Sequence, residues 1–138
     1  MAHTILVVDD EPAICSVLRE VLADEGYRVA CACDGIAALA AVERIRPDLV
    51  LSDVRMPGLS GVDLADRLRA QGIPVVLMSA HGRRPPRADV PYLAKPFDLD
   101  TVVSVVAGQL RAASNAHQPS RTAVQPVAFA GNPPRVSV

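Results

Sequence analysis

The chain has 138 residues, half of them hydrophobic, and a formal net charge of −1 at neutral pH. This length is enough for one domain with its own hydrophobic core. Every apolar segment is much shorter than the roughly 20 residues that span a bilayer, and no signal peptide precedes the first strand, so we expect a cytoplasmic protein without membrane insertion. No basic stripe stands out, and we therefore expect no direct binding of nucleic acid.

Short apolar runs alternate with helical patterns along residues 4–112. The runs are rich in Val, Ile and Leu and are bounded by turn residues, which is typical of the buried strands of a parallel sheet. The predicted strands are residues 4–8, 28–32, 49–52, 75–79 and 92–94. Their alternation with helices predicts an α/β fold with a doubly wound, five-stranded parallel sheet.

Four helices are predicted between and after these strands. The first has Pro12 in its first turn and stops at Gly26, and Asp98 is a suitable N-cap for the last. Helical spacing of the apolar residues predicts which of them face inward. These are Ile14, Val17, Leu18, Val21 and Leu22 in the first helix, Ala38, Ala41, Val42 and Ile45 in the second, Leu64, Ala65 and Leu68 in the third, and Leu99, Val102, Val103, Val106 and Leu110 in the last.

Two stretches lack both patterns. Residues 80–91 contain three prolines and a glycine, so a loop or one short turn is expected there instead of a helix. Residues 114–138 are polar, contain prolines and have no acidic residue, and we expect them to form a flexible low-complexity tail. One folded domain is therefore predicted over residues 1–113, with a net charge of about −3 because it holds all fifteen acidic residues against twelve basic ones.

The three cysteines are expected to be ordinary reduced thiols. Cys31 and Cys33 are two positions apart and point the same way on a strand, whereas Cys15 lies in a helix. A lone C-x-C pair is a weak signal for a metal site.

Polar residues follow four of the predicted strands at the point where each strand ends. Asp9 and Asp10 follow the first strand, Asp53 the third, Ser79 ends the fourth, and Lys95, the only lysine of the chain, follows the fifth. Ligands of open α/β sheets bind beyond the carboxyl ends of the strands. We therefore expect these five side chains to converge on one active site.

Three carboxylates in one place repel each other, and a hard divalent cation offsets this repulsion best. Mg²⁺ prefers a few carboxylates, a backbone carbonyl and retained waters, so the pattern predicts a magnesium site that also shields an arriving phosphoryl group. Asp53 is the candidate nucleophile, while Lys95 and the Ser79 hydroxyl would hold the phosphoryl oxygens. Each residue alone has a plainer explanation, such as a helix N-terminus or an exposed cation, but their joint placement favours the site.

The sequence resembles the receiver domain of two-component response regulators over residues 4–112. The matching segments are VVDDEP (7–12), LSDVRMPGLSG (51–61), MSAHG (78–82) and YLAKPF (92–97). The resemblance implies a CheY-like, flavodoxin-like fold with strand order 2-1-3-4-5. It also implies that the domain is a phosphoacceptor signalling module and not an enzyme with its own substrate.

The resemblance further implies a role for each site residue. Asp53 would accept the phosphoryl group from a sensor histidine kinase or a histidine phosphotransfer protein. Asp10 would bind Mg²⁺ directly and Asp9 through water, together with Asp53 and the backbone carbonyl of Arg55. Ser79 would be the switch hydroxyl. Tyr92 would be the aromatic residue that rotates inward behind it, with half-buried packing as the alternative reading.

The stretch 80–91 is too short for the fourth helix that receivers normally carry. The surface that commonly mediates dimerisation would then be missing or rebuilt, and we expect a monomer. A stand-alone receiver that binds an unknown downstream protein or shuttles phosphate is the leading hypothesis. An unphosphorylated scaffold is a second possibility. An aspartate-nucleophile phosphatase is a third, although such enzymes need a D-x-D motif and position 55 is Arg.

Overall fold

A computed structural model describes residues 2–79 and 89–116 of the protein, with side chains as far as Ser114. Its elements, in chain order, are β1 (Thr4–Val8), α1 (Pro12–Asp24), β2 (Arg28–Ala32), α2 (Gly35–Ile45), β3 (Leu49–Asp53), α3 (Gly61–Ala70), β4 (Val75–Ser79), β5 (Tyr92–Ala94) and α4 (Leu99–Ala116). None of the helices within these described stretches is both long and apolar enough to cross a bilayer.

The five strands form one sheet in the order β2-β1-β3-β4-β5, and every neighbouring pair is parallel. This confirms the predicted fold class and strand order. The strand boundaries also agree with the sequence, except that β3 extends one residue further and ends with Asp53 itself. The carboxyl ends of β1, β3 and β4 therefore lie side by side in the middle of the sheet, where the acidic residues are.

The sheet separates two hydrophobic clusters. Because successive strand residues point to opposite faces, Leu6 and Val8 of β1 join α2 and α3 in one cluster, while Ile5 and Val7 join α1 and α4 in the other. Burial of each such side chain contributes about 2 kcal/mol to folding. Both faces are thus covered, as a parallel sheet requires.

Three details of the predicted helices are corrected by the structure. Leu99 was expected to face inward but is 37% exposed, because it is the first residue of α4 and lies at the end of the helix, beyond the buried residues Val102, Val106 and Leu110. Val17 was expected to face inward but is 43% exposed, because Leu18 and Leu22 define the buried face of α1 and Val17 lies on its flank. Helix α4 continues to Ala116, three residues into the segment that was predicted to be a tail, since no glycine or proline interrupts it there. The N-cap prediction for α4 holds, because the Asp98 side chain accepts a hydrogen bond from the backbone N–H of Asp100 at 3.3 Å.

Of the connection between β4 and β5, the structure describes residues 89–91, which lead into β5. Residues 80–88 lie outside the described residues, and so does most of the loop predicted there. Asp89 pairs with Arg69 of α3 at 2.8 Å, and Val90 is buried in the cluster beneath α3. Residues 89–91, the described part of this connection, are not helical.

All three cysteines are free thiols, in agreement with the sequence. Cys15 lies in α1 and donates a weak hydrogen bond to the carbonyl oxygen of Asp9 at 3.6 Å. Burial, and then the neighbouring Cys31, raise the pKa of Cys15 to about 12. The thiol is therefore protonated at neutral pH and has a packing role.

We predict that Gly61→Ala destabilises the protein by about 1–3 kcal/mol, because an added methyl group overpacks a closed contact. A Cβ atom at Gly61 would meet the backbone carbonyl carbon of Asp53 at 3.0 Å and the Cα atom of Val54 at 2.9 Å. Chemical denaturation measures the loss.

Gly108→Ala is the matched control, because a Cβ atom there meets nothing within 4 Å. Alanine in this helix should stabilise the protein by roughly 0.5–1 kcal/mol. Equal stability of the two variants would contradict the close contact at Gly61.

Candidate functional site

Three carboxylates converge beyond the ends of β1 and β3. One oxygen each from Asp9, Asp10 and Asp53 lies within 4.8 Å of the others. Asp9 and Asp53 are buried, whereas Asp10 is exposed. The parallel register of β1 and β3 produces this arrangement, since both strands end at the same edge of the sheet.

Lys95 holds the carboxylates together. Its Nζ atom donates a hydrogen bond to Oδ2 of Asp9 at 2.8 Å and lies 3.5 Å from Oδ2 of Asp53. The lysine is placed there by its backbone, because its N–H donates to the carbonyl oxygen of Ser79 at 2.8 Å. The Lys95–Pro96 peptide bond is cis.

The surroundings of Asp53 and Lys95 raise the pKa of both side chains. Burial raises the pKa of Asp53 above its ordinary value of 3.8, although Lys95 and the backbone N–H of Arg55 act in the opposite direction. Burial also disfavours the ammonium form of Lys95, but its hydrogen bond to Asp9 and the charges of Asp9 and Asp53 raise its pKa overall. Near neutral pH the lysine is therefore a fixed cation beside a carboxylate that burial penalises.

The backbone around Asp53 is held on two sides. The N–H of Val54 donates to the carbonyl oxygen of Met78, and the N–H of Gly61 donates to the carbonyl oxygen of Val54 at 2.9 Å. The Ser60 hydroxyl caps α3 by accepting a hydrogen bond from the backbone N–H of Asp63 at 3.1 Å. This clamp fixes where the Asp53 side chain emerges, and the side chain of Arg55 extends into solvent beside it.

Ser79 and Tyr92 occupy different depths in the sheet. Ser79 is buried at the last position of β4, next to Ala94 in the strand register, and so at the same edge as the acids. Tyr92 begins β5, is paired with Leu77, and is half-buried. The roles predicted for both residues stay predictions.

The structure adds Glu11 to the residues predicted for the site. Its Oε1 atom lies 3.6 Å from Nζ of Lys95, and its backbone N–H donates to Oδ1 of Asp9 at 2.9 Å. The signal was present in the sequence as a third acid directly after Asp9 and Asp10. The sequence alone does not predict that Glu11 pairs with Lys95, because this contact depends on where the chain turns from β1 into α1.

The donor set suits a hard divalent cation. The three carboxylate oxygens lie within 4.8 Å of one another, and Mg²⁺ takes hard oxygen ligands of this kind in proteins, with waters completing its shell. Among the described residues, Asp9, Asp10 and Asp53 form the group that fits a metal in this way.

A separate cavity of about 340 Å³ lies at the opposite edge of the sheet, near the amino ends of the strands. Its lining includes Pro47, Asp48, Pro74 and Leu110. The Asp48 carboxylate accepts a hydrogen bond from the backbone N–H of Thr4 at 2.7 Å. This bond links the start of β1 to the residue that precedes β3. The convergence of charged groups at the carboxyl edge marks that edge as the candidate site.

Comparison with known proteins agrees with this geometry. The model of the response regulator receiver domain family matches residues 5–107. The DNA-binding response regulator MtrA of Mycolicibacterium smegmatis is 40% identical over 121 residues, which are 80% of this chain and 52% of that protein. The chain thus spans about half the length of this relative.

Two further matches extend over nearly the whole of the other protein. Sporulation initiation phosphotransferase F of Bacillus subtilis is 36% identical over 123 residues, which are 83% of this chain and 99% of that protein. The crystal structure of a putative response regulator from Chloroflexus aurantiacus superposes with a TM-score of 0.75 at 32% identity, covering 80% of this chain and 99% of the other.

We predict that Asp53→Asn raises the free energy of unfolding near neutral pH when divalent ions are chelated. The pKa of Asp53 is higher in the folded protein than its ordinary value of 3.8, so the folded state binds the proton more tightly. Stability is then lost as the pH rises from that ordinary value through the raised pKa. The stability gained by Asp53→Asn is therefore complete at a pH above the raised pKa, and it shrinks as the pH falls from that pKa toward 3.8.

Denaturant titrations from mildly acidic to neutral pH check this, with Asp24→Asn as a control that removes an exposed acid at the end of α1. The control should show no such pH-dependent gain. A loss of stability in Asp53→Asn at neutral pH would contradict the proposed cost of burying the charge.

Proposed function

Because the chain belongs to the response regulator receiver domain family, we propose that it accepts a phosphoryl group on Asp53 from the phosphohistidine of a sensor kinase or phosphotransfer protein. The observation that carries this proposal is the position of Lys95, whose ammonium group is 2.8 Å from Asp9 and 3.5 Å from Asp53. A cation between the metal-binding acid and the nucleophile is suited to hold an oxygen of the arriving phosphoryl group.

The chemistry follows from the placement of these groups. An Asp53 oxygen forms a bond to phosphorus while the bond from phosphorus to the imidazole nitrogen breaks, and the histidine leaves. Asp9, Asp10 and Asp53, with the backbone carbonyl of Arg55, would hold Mg²⁺, which would supply charge neutralisation for this transfer. The chain itself fixes the nucleophile through the backbone clamp around Asp53 and directs Lys95 toward the transferred group.

Ser79 and Tyr92 are the residues that we propose to report phosphorylation. The Ser79 hydroxyl lies at the carboxyl edge of the sheet and would donate a hydrogen bond to a phosphoryl oxygen. Tyr92, half-buried on the neighbouring strand, would then follow inward. Such a movement would change the surface next to β5 and so the affinity for a downstream protein.

We propose that the domain works alone, as a cytoplasmic monomer that passes the phosphoryl group on or switches a protein partner, and that it does not bind nucleic acid directly. The similarity to the Bacillus phosphotransferase over nearly its full length supports this form of action. The phosphotransferase name of that relative favours a shuttle or protein switch as the output.

An unphosphorylated scaffold is the second candidate function. It would need no complete set of acids and no lysine, whereas Asp9, Asp10 and Asp53 lie together here and Lys95 pairs with Asp9 and Asp53. A phosphatase is disfavoured, because position 55 carries an exposed arginine in place of the second acid of a D-x-D motif. The domain would catalyse only its own phosphorylation and dephosphorylation at Asp53.

We predict that incubation with phosphoramidate and Mg²⁺ adds the mass of one phosphoryl group to the intact chain, and that Asp53→Asn abolishes the addition. Lys95→Ala should slow it by about 100-fold, the typical cost of losing one donor that stabilises transition-state charge. Mass spectrometry of the intact chain over time measures both effects.

Asp24→Asn is the matched control, since it removes one carboxylate far from the site and should be labelled like the wild type. Full labelling of Asp53→Asn, or no labelling of the wild type with any donor, would refute the proposed phosphoacceptor.

A further inference from the structure

Glu11 differs from the other acids at the site in its exposure. Its side chain is 64% exposed, whereas that of Asp9 is fully buried and that of Asp53 is 13% exposed. Glu11 is nevertheless 3.6 Å from Lys95, whose own side chain is only 11% exposed. The carboxylate of Glu11 therefore lies on the solvent side of the lysine, where a donor molecule approaches.

The backbone of Glu11 ties it to the site. The residue occupies the N-cap of α1 in an extended conformation, yet its side chain makes no capping hydrogen bond. Its N–H instead donates to Oδ1 of Asp9 at 2.9 Å. The position of this carboxylate near Lys95 is thus a consequence of the turn from β1 into α1.

Glu11 adds a fourth carboxylate to the three that surround the candidate metal site. Asp9, Asp10 and Asp53 form the group that fits a divalent ion, and Glu11 is outside that group among the described residues. With the ion bound, three positive charges, including that of Lys95, face four carboxylates. One negative charge remains, and the most solvent-exposed carboxylate that pairs with Lys95 is that of Glu11.

Resting on the phosphoacceptor function proposed above, we propose that Glu11 is a specificity-determining residue that disfavours small, doubly negative phosphodonors. A small acyl phosphate carries two negative charges at neutral pH and has few contacts to offset its repulsion by Glu11. Phosphoramidate carries one net negative charge. A phosphohistidine presented by a protein gains binding energy from the surrounding interface, so the same repulsion matters least for it.

The two small donors react by the same displacement. With acetyl phosphate, an Asp53 oxygen bonds to phosphorus as the phosphorus–oxygen bond breaks and acetate leaves. With phosphoramidate, the phosphorus–nitrogen bond breaks and ammonia leaves. The nucleophile and the product on Asp53 are the same, so a difference between the donors reports their charge and leaving group, and a change in that difference on substitution reports Glu11.

The test compares Glu11→Gln with Glu20→Gln, which removes an exposed carboxylate from the same helix away from the site. At saturating Mg²⁺, Glu11→Gln should increase the second-order rate constant for acetyl phosphate about threefold to tenfold, and that for phosphoramidate by a smaller factor. The excess for acetyl phosphate should decline as ionic strength rises. Glu20→Gln should react like the wild type.

An equilibrium measurement provides a second readout without turnover. Beryllofluoride, an anionic mimic of the phosphoryl group, should bind Glu11→Gln more tightly than Glu20→Gln at saturating Mg²⁺, as followed by tyrosine fluorescence. Equal changes for both donors, a slower reaction of Glu11→Gln, or equal beryllofluoride affinities would overturn the proposal. If the wild type is labelled normally, these results leave the phosphoacceptor function intact, whereas absence of labelling at Asp53 from every donor removes both proposals.

Discussion

The contact of the Lys95 ammonium group with Asp9 and Asp53 is the interaction on which the site depends. Carboxylates with oxygens within 4.8 Å of one another repel by about 3–4 kcal/mol per pair at an effective dielectric constant of 20. The domain offsets part of this internally with one buried cation, Lys95, and a divalent ion at the proposed metal site would offset the remainder. The described side chains therefore leave an excess of negative charge, which favours binding of a cation.

The fold supplies the rigidity that this arrangement requires. Five parallel strands with both faces covered bring their carboxyl ends to one edge, and Gly61 lets α3 start directly against the backbone of Asp53. Asp53 is thus carried by the middle of the sheet, while Lys95 directly follows an edge strand that is only three residues long. The carboxylate is therefore more firmly anchored by its strand than the cation that pairs with it.

Much of this could be predicted from the sequence because strand positions and strand ends leave a local signal. The five apolar runs, the sheet order implied by resemblance, and the convergence of Asp53 with Asp9 and Lys95 all agree with the structure. Long-range geometry had no such signal. The exposure of Val17 depends on which flank of α1 meets the sheet, and the approach of Glu11 to Lys95 depends on a turn. The contact between Gly61 and Asp53 arises from how closely α3 packs on β3.

The hydrogen bond between Asp9 and Lys95 joins residues that are 86 positions apart in the chain. During synthesis the three acids emerge early, but the ammonium group arrives only when the last strand has been made. A chain that lacks β5 therefore lacks the cation that pairs with Asp9 and Asp53. The charge balance at the carboxyl ends of the strands is thereby coupled to completion of the sheet.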